Sequence, residues 1–485
     1  MGLTRRAFIQ SAGAAAAGVA VGRSGLIGGE GSAAGGPNIV VIMVDSLRVD
    51  HAYGNRARTP NIDVLLRDGL RFTRAFPEAM PTVPARNSLL TGRRMFPFRG
   101  WRDYRGLPRA PGWAPIHNVA ETFTSRLQEA GYWTGYVTDN PFLGWAQPYD
   151  RLRRSFDLFV RHGGQLGAAR PPSTVSGREL RRWIHPAIDN PGIRDRVRKY
   201  LANGGYSDDD SRSFAARVFR SGVGALERAA RQQPFALIVD TYEPHEPWTP
   251  PRHYIREYGD RGYRGPEPAM PRYKRVSKWL DNGNRDLVLG RLRALYAAEV
   301  TMTDRWLGVF LERVYALGLE GDTVIALVAD HGIQLGEHGW TGKISVALHP
   351  VLIRVPFVIV DPGRRRAGEE SDYFASLHDL GPTLLSMAGV RAPERMGGVD
   401  LSPLLSGARP PARPFAYGGY GENHYLRTSR WAYISDNRMR HPQLYDLRRD
   451  PGEGNNVARR HPGVVRELRE TVIERARGRP PFYGT

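Results

Sequence analysis

Five short apolar runs, each closed by an aspartate, restrict this chain more than any other feature. They are Asn38–Val44, Trp133–Val137, Phe235–Val239, Val324–Ala329 and Phe357–Val360, followed by Asp45, Asp139, Asp240, Asp330 and Asp361. Continuous rather than alternating apolarity suits strands buried on both faces. Helical periodicity lies between them, at Ile62–Gly69, Ala120–Ala130, Ser213–Arg231 and Leu287–Leu317. Strand alternating with helix predicts an α/β fold: a large, mostly parallel sheet flanked by helices. Such sheets bind ligands at the carboxyl ends of their strands. The five aspartates are therefore expected around one metal or phosphoryl-type centre.

The chain has 485 residues, enough at roughly 150 per domain for two or three units, or for one large domain with an appendage. It has no cysteine, which excludes a disulfide scaffold, thiolate metal ligands and a cysteine nucleophile. The formal net charge is +20. That surplus is either a solubilising coat or a field that attracts anionic substrates, cell-surface polymers or nucleic acid. No recognition motif accompanies the charge, so nucleic acid is not expected as a partner. The only lysines are Lys199, Lys274, Lys278 and Lys343, which makes a lysine inside a motif conspicuous. Stretches 141–210 and 243–285, rich in Arg, Pro and Gly, read as excursions above the sheet.

The first residues read as an address. Thr4-Arg5-Arg6-Ala7-Phe8-Ile9-Gln10, followed by a soft Ala/Gly/Val stretch from Ser11 to Gly22, resembles a twin-arginine export signal. The apolar part is too short to span a bilayer, and no later run reaches that length, so no integral membrane span is expected. Residues 1–36 are thus assigned to the signal, with the twin-arginine export machinery as a partner. The destination would be the periplasm, the cell wall or the exterior.

Three motifs follow. The first is Asn38–Val44 with Asp45, continuing through Asp50 to Tyr53-Gly54. The second is Pro81-Thr82-Val83-Pro84-Ala85-Arg86, running on to Leu90-Thr91-Gly92. The third is Ala329-Asp330-His331-Gly332, then Gly336-Glu337-His338-Gly339 and Gly342-Lys343. In this order and with these flanks the set resembles the sulfatase family of the alkaline-phosphatase superfamily. The resemblance extends to Leu127–Thr134, Asp379–Leu385, Leu444–Pro451 and Asn456-Val457. It implies a metal-dependent ester hydrolase with a catalytic domain over 37–408 and a small α+β subdomain over 409–485, built on a short antiparallel sheet.

The residues fit that chemistry. Thr82 is expected to N-cap a helix, with Pro84 in its first turn and Arg86 one turn on along the same face. A helix N-terminus stabilises an oxyanion, and the Arg86 fork matches its oxygens. Asp45, Asp330 and His331 are the expected metal ligands, completed by the Thr82 oxygen, with Gly332 permitting the bend that lets neighbours converge. Three protein ligands leave room for substrate. A histidine ligand favours manganese or zinc over calcium or magnesium. His245, in Tyr242–Trp248, matches the family's Pro-His segment and is expected to hold a substrate oxygen or protonate the leaving group. Lys343 matches the Gly-Lys position and would neutralise equatorial charge. His349 stands near the family's Tyr-Glu pair, His338 reads as structural or pocket wall, and Asn140 as a ligand contact.

Three departures from the family pattern matter. Sulfatases carry a cysteine or serine at the Thr82 position, converted to formylglycine, and threonine cannot be so converted. The second aspartate of the first motif is Ser46. The Gly-Lys-Trp-His segment is replaced by Thr138-Asp139-Asn140-Pro141. A formylglycine hydrate expels its acid by collapse to the aldehyde; a threonine ester must be opened by water at the central atom. This favours phosphorus over sulfur, as in the phosphonate-monoester and phosphodiester branch. The alternatives are a sulfatase proper, a transferase moving a phosphoryl-linked group onto cell-surface glycan, and a non-catalytic binder of anionic polymer. In every case the ligand is an anionic ester or polymer.

Overall fold

The computed structural model describes residues 35–143, 150–167, 169–259 and 263–484; the twin-arginine segment lies outside them. The main sheet has eight strands in the order Glu370–Ala375, Leu70–Ala75, Phe357–Val360, Thr323–Ala329, Asn38–Val44, Phe235–Thr241, Trp133–Thr138, Leu158–Arg161. At its centre Val41 pairs with Ala326 on one side and Ile238 on the other, both parallel. All seven residues of Asn38–Val44 are buried. Helices cover the sheet, among them Phe214–Ala229 and the 32-residue Arg285–Ala316, which pack on each other. Among the described residues no helix is long and apolar enough to cross a membrane.

Four of the five aspartates stand together at the carboxyl edge, because the strands that carry them run in parallel. Asp361 does not. Its strand, Phe357–Val360, runs antiparallel to Thr323–Ala329, so its far end lies at the opposite edge, where the carboxylate accepts from Arg365. The cause is the connection. Residues 330–356 stay above the carboxyl edge, with Gly332 N–H donating to Leu352 O at 2.8 Å, so the chain can only return downward.

The two excursions are stitched to each other. Glu267 N–H donates to Arg182 O and His185 N–H to Glu267 O, at 2.7 and 3.1 Å, beside an Ile184–Pro268 bridge. The two excursions thus form one cap. Within it Lys274–Arg275 pairs with Trp340–Gly342, which also pairs with Gln334–Leu335.

Near the C-terminus an antiparallel meander of Phe415–Tyr420, Asn423–Thr428, Trp431–Asp436 and Gln443–Asp446 packs on the helix Pro462–Arg475 through Leu426, Tyr433, Leu444, Leu468 and Val472. The sheet is completed by Ala79–Met80, with Ala79 beside Gly419 and Met80 beside Tyr420. That two-residue strand ends two positions before Thr82.

Candidate active site

Asp45 continues the line of the first strand, its N–H donating to Thr241 O at 3.0 Å. Ser46 then turns away with a φ of 60°. In that turn Ser46 N–H donates to Asp330 Oδ1 and Ser46 Oγ to Asp45 Oδ1, at 2.9 and 2.8 Å. The serine that replaces the family's second acid therefore laces two strand ends together. Asp330 Oδ1 also receives the N–H of His331, while His331 Nδ1 donates to Gly332 O at 2.8 Å. That bond fixes the tautomer and leaves the Nε2 lone pair inward.

One oxygen each from Asp45 and Asp330 and one His331 nitrogen lie within 4.8 Å of one another. Asp45 Oδ2 and His331 Nε2 make no hydrogen bond although both are fully buried. Burial, then the adjacent Asp330 charge, pushes Asp45 well above the usual carboxylate range. Burial acts the same way on Asp330, but His331 and Arg86 outweigh it and hold that carboxyl low. Burial, against the pull of Asp330, shifts His331 below the ordinary imidazole range. Two carboxylate oxygens converging with an imidazole lone pair that has no hydrogen bond of its own are a donor set that fits a divalent cation.

Thr82 opens the helix Thr82–Thr91 rather than capping it. Pro81 holds the N-cap position, and Ala85 N–H closes the first turn on Pro81 O at 3.0 Å. Thr82 is therefore the first helical residue. Arg86 differs more from expectation. Its Nε and Nη2 grip the two oxygens of Asp240 at 2.9 and 2.6 Å. Its Nη1 reaches Asp330 Oδ2 at 2.8 Å, Asp45 Oδ2 at 3.1 Å and Thr82 O at 3.1 Å. The guanidinium is committed to three carboxylates instead of being open to an oxyanion. It neutralises the sheet edge and ties the Thr82 turn to Asp45 and Asp330.

Lys343 and His245 meet in the cap. Lys343 Nζ donates to His245 Nε2 at 2.8 Å and to Glu246 Oε1 at 3.0 Å. His245 Nδ1 donates to Glu246 O at 2.7 Å, and the ring stacks on Tyr242 with centroids 4.1 Å apart. Burial keeps His245 neutral, well below its ordinary range. Both ring nitrogens are occupied, so the transferable proton here sits on Lys343, not on the histidine. Lys343 acts on the charges of both His331 and Asp45, which puts the pair beside the carboxylate cluster.

Three contributors to this site escaped the sequence reading. Glu246 pairs Lys343 and receives the Tyr273 hydroxyl. Arg196, from the helix Pro191–Ala202, bears on Tyr242 and Glu246. Glu246 lies inside the Tyr242–Trp248 segment, where the reading stopped at His245, and no motif marks Tyr273 or Arg196, because the cap has no strand periodicity. His349 belongs elsewhere: its Nδ1 lies 2.9 Å from Glu453, and its ring stacks on His338 at 3.6 Å. Those two histidines join the catalytic part to the C-terminal subdomain. Asn140 accepts from Phe142 N–H and shapes the turn after Asp139.

Comparison with known proteins adds the family. Residues 37–390 match the family Sulfatase, and residues 336–477 match N-sulphoglucosamine sulphohydrolase, C-terminal. An arylsulfatase of Clostridium perfringens is 26% identical over 492 residues, covering 92% of this chain and 96% of its own length. A choline-sulfatase of Rhizobium meliloti is 25% identical over 462 residues, covering 90% and 86%. The solved phosphonate monoester hydrolase of Silicibacter pomeroyi shares the fold at a TM-score of 0.68 and 20% identity, over 92% of this chain and 96% of that one.

Proposed function

The chain belongs to the sulfatase family and is a hydrolase acting on ester bonds, and we propose that it cleaves phosphate or phosphonate esters with Thr82 as the nucleophile. One observation carries this reading. A threonine opens the helix whose first turn Arg86 ties to Asp45 and Asp330. Threonine lacks the second hydroxyl by which a formylglycine hydrate expels sulfate, so its ester has to be opened by water at the central atom.

Asp45, Asp330 and His331 would hold a divalent ion, manganese or zinc by donor type, whose charge makes a nearby hydroxyl acidic and neutralises substrate oxygens. Thr82 Oγ bonds to phosphorus as the bond from phosphorus to the alcohol oxygen breaks. The departing oxygen takes a proton from the Lys343 ammonium, which the proton shed by Thr82 restores through solvent. His245 and Glu246 keep that ammonium in place. Water then attacks phosphorus; its oxygen leaves with the acid product and one of its protons returns to Thr82. Arg86 holds the helix start and both carboxylates still throughout. The Arg5-Arg6 signal supports export of the folded enzyme by the twin-arginine route to the periplasm, cell wall or exterior.

The test is a parallel assay of an aryl sulfate, a phosphate monoester, a phosphate diester and a phosphonate monoester, each with manganese, zinc, calcium or magnesium. Turnover of a phosphorus ester is expected, falling about 10⁴-fold or more in Thr82→Ala and persisting in Thr82→Ser. Turnover of the sulfate alone would overturn the choice of phosphorus. Parental rates in Thr82→Ala would overturn the nucleophile.

A further inference from the structure

We infer that Tyr273 is the platform on which the alcohol part of the ester rests, so that the enzyme takes esters whose leaving group is a flat ring. The inference deepens the proposed function and rests on its reading of Lys343 as the residue that meets the leaving oxygen. Tyr273 is 41% exposed, yet it is fixed on three sides. Its hydroxyl donates to Glu246, the carboxylate that also pairs Lys343. Lys343 Nζ lies over its ring, 5.3 Å from the centroid. Its neighbour Lys274 pairs with Thr341, which brings the ring against Gly342.

Gly342 shows how closely the ring is seated. A Cβ on that residue would stand 2.3 Å from Tyr273 Cδ1, and its φ of +86° already excludes most side chains. The strand thus gives up a side chain where the ring lies down. An aromatic ring anchored through its hydroxyl and seated on backbone, with much of its surface still open to water, is preorganised for another ring to stack on it. The rim agrees. Tyr420 stands close enough to bear on Tyr273, and its hydroxyl donates to Lys343 O. The acidic part of the substrate would lie inward of Lys343, and its alcohol part outward on Tyr273.

Benzylphosphonate and ethylphosphonate, in which a methylene replaces the ester oxygen so that the group beyond it takes the alcohol's place and nothing can be cleaved, are titrated calorimetrically into the manganese-loaded parent, Tyr273→Phe and Tyr273→Ala proteins. The parent is expected to prefer the benzyl compound, and Tyr273→Ala to lose that preference by about tenfold, the upper end of what an aromatic pair contributes. Tyr273→Phe, which keeps the ring and loses the bond to Glu246, should weaken both ligands while keeping their ratio. General damage to the site also weakens both alike, so the ratio isolates the platform. No preference in the parent, or an unchanged ratio in Tyr273→Ala, overturns the inference. Failure of the proposed hydrolysis shows separately, as absence of turnover.

Discussion

Arg86 offers a stringent test, because its replacement by methionine of similar length strands three buried carboxylates at once. Asp240 would keep only the hydroxyls of Tyr136, at 2.8 Å, and Thr138, at 3.3 Å. Asp330 would keep two backbone donors and Asp45 only Ser46 Oγ. Removing one partner of a buried ion pair costs about 3–5 kcal/mol, because the other charge is left without compensation. Arg86→Met should lose at least that much, measured by urea unfolding with EDTA present and followed by tryptophan fluorescence. Arg86→Lys should fall between, since a point charge cannot grip Asp240 with two donors and still reach Asp330 and Thr82. The diagnostic measurement is the cycle with Asp240→Asn. In the Arg86→Met background that second change removes the stranded anion, so the double variant should be more stable than Arg86→Met alone by about 1 kcal/mol or more. An Arg86→Met protein within about 1 kcal/mol of the parent, or simple addition of the two losses, would refute the assignment of Arg86 as countercharge.

Two further outcomes follow from the same cluster and its neighbours. Saturating manganese should raise Tm, corresponding to about 2.7 kcal/mol at a hundredfold excess over Kd; EDTA should reverse the rise and His331→Ala should abolish it, whereas an equal rise in His331→Ala would exclude His331 as a ligand. Burial pushes Asp139 up to about 8, against an ordinary value of 3.8. Between those values the folded protein binds the extra proton, so this group's stabilising contribution declines as pH rises, by at most about 1.4 kcal/mol per pH unit. Asp139→Asn should flatten that decline in pH-dependent unfolding; an unchanged slope would mean that Asp139 is ionised in the folded state.

The sequence exposed most of the scaffold and part of the site, for reasons visible in particular residues. Asn38–Val44 and Phe357–Val360 were bounded correctly because continuous apolarity marks a strand with both faces covered. Leu70–Ala75 and Glu370–Ala375 escaped the same criterion: they alternate buried with less buried residues and carry charges. Strand direction was not legible either. The run before Asp361 looks like the other four, and only the folded connection over 330–356 shows that it points down. Asp45, Asp330 and His331 converge as their motif order suggested. Arg86 was legible as a residue and not as a role, because a fork suited to an oxyanion is equally suited to the carboxylates of Asp240 and Asp330. Tyr273 and Arg196 carry no local pattern, and Glu246 stands in a motif read only for His245; they meet because the two excursions bond to each other.

The position of Thr82 depends on the C-terminal sheet as well as on the carboxylate cluster, and a glycine reports it. Ala79–Met80 lies beside Phe415–Tyr420, with Gly419 N–H donating to Glu78 O at 3.0 Å. A Cβ on Gly418 would stand 2.6 Å from that carbonyl oxygen and 2.7 Å from Glu78 Cα. These are backbone atoms with no rotamer to give way, so Gly418→Ala has to push the strand, and with it Pro81 and Thr82, away from the sheet. Asp45, Asp330 and His331 hang from other strands and stay where they are. The variant should therefore keep the manganese-induced rise in Tm while kcat/KM falls about ten- to a hundredfold, the loss expected of a nucleophile displaced by a fraction of an ångström to an ångström. Parental kcat/KM in Gly418→Ala would show that the C-terminal sheet does not position the nucleophile, and loss of the manganese response would show that the strand supports the metal ligands as well.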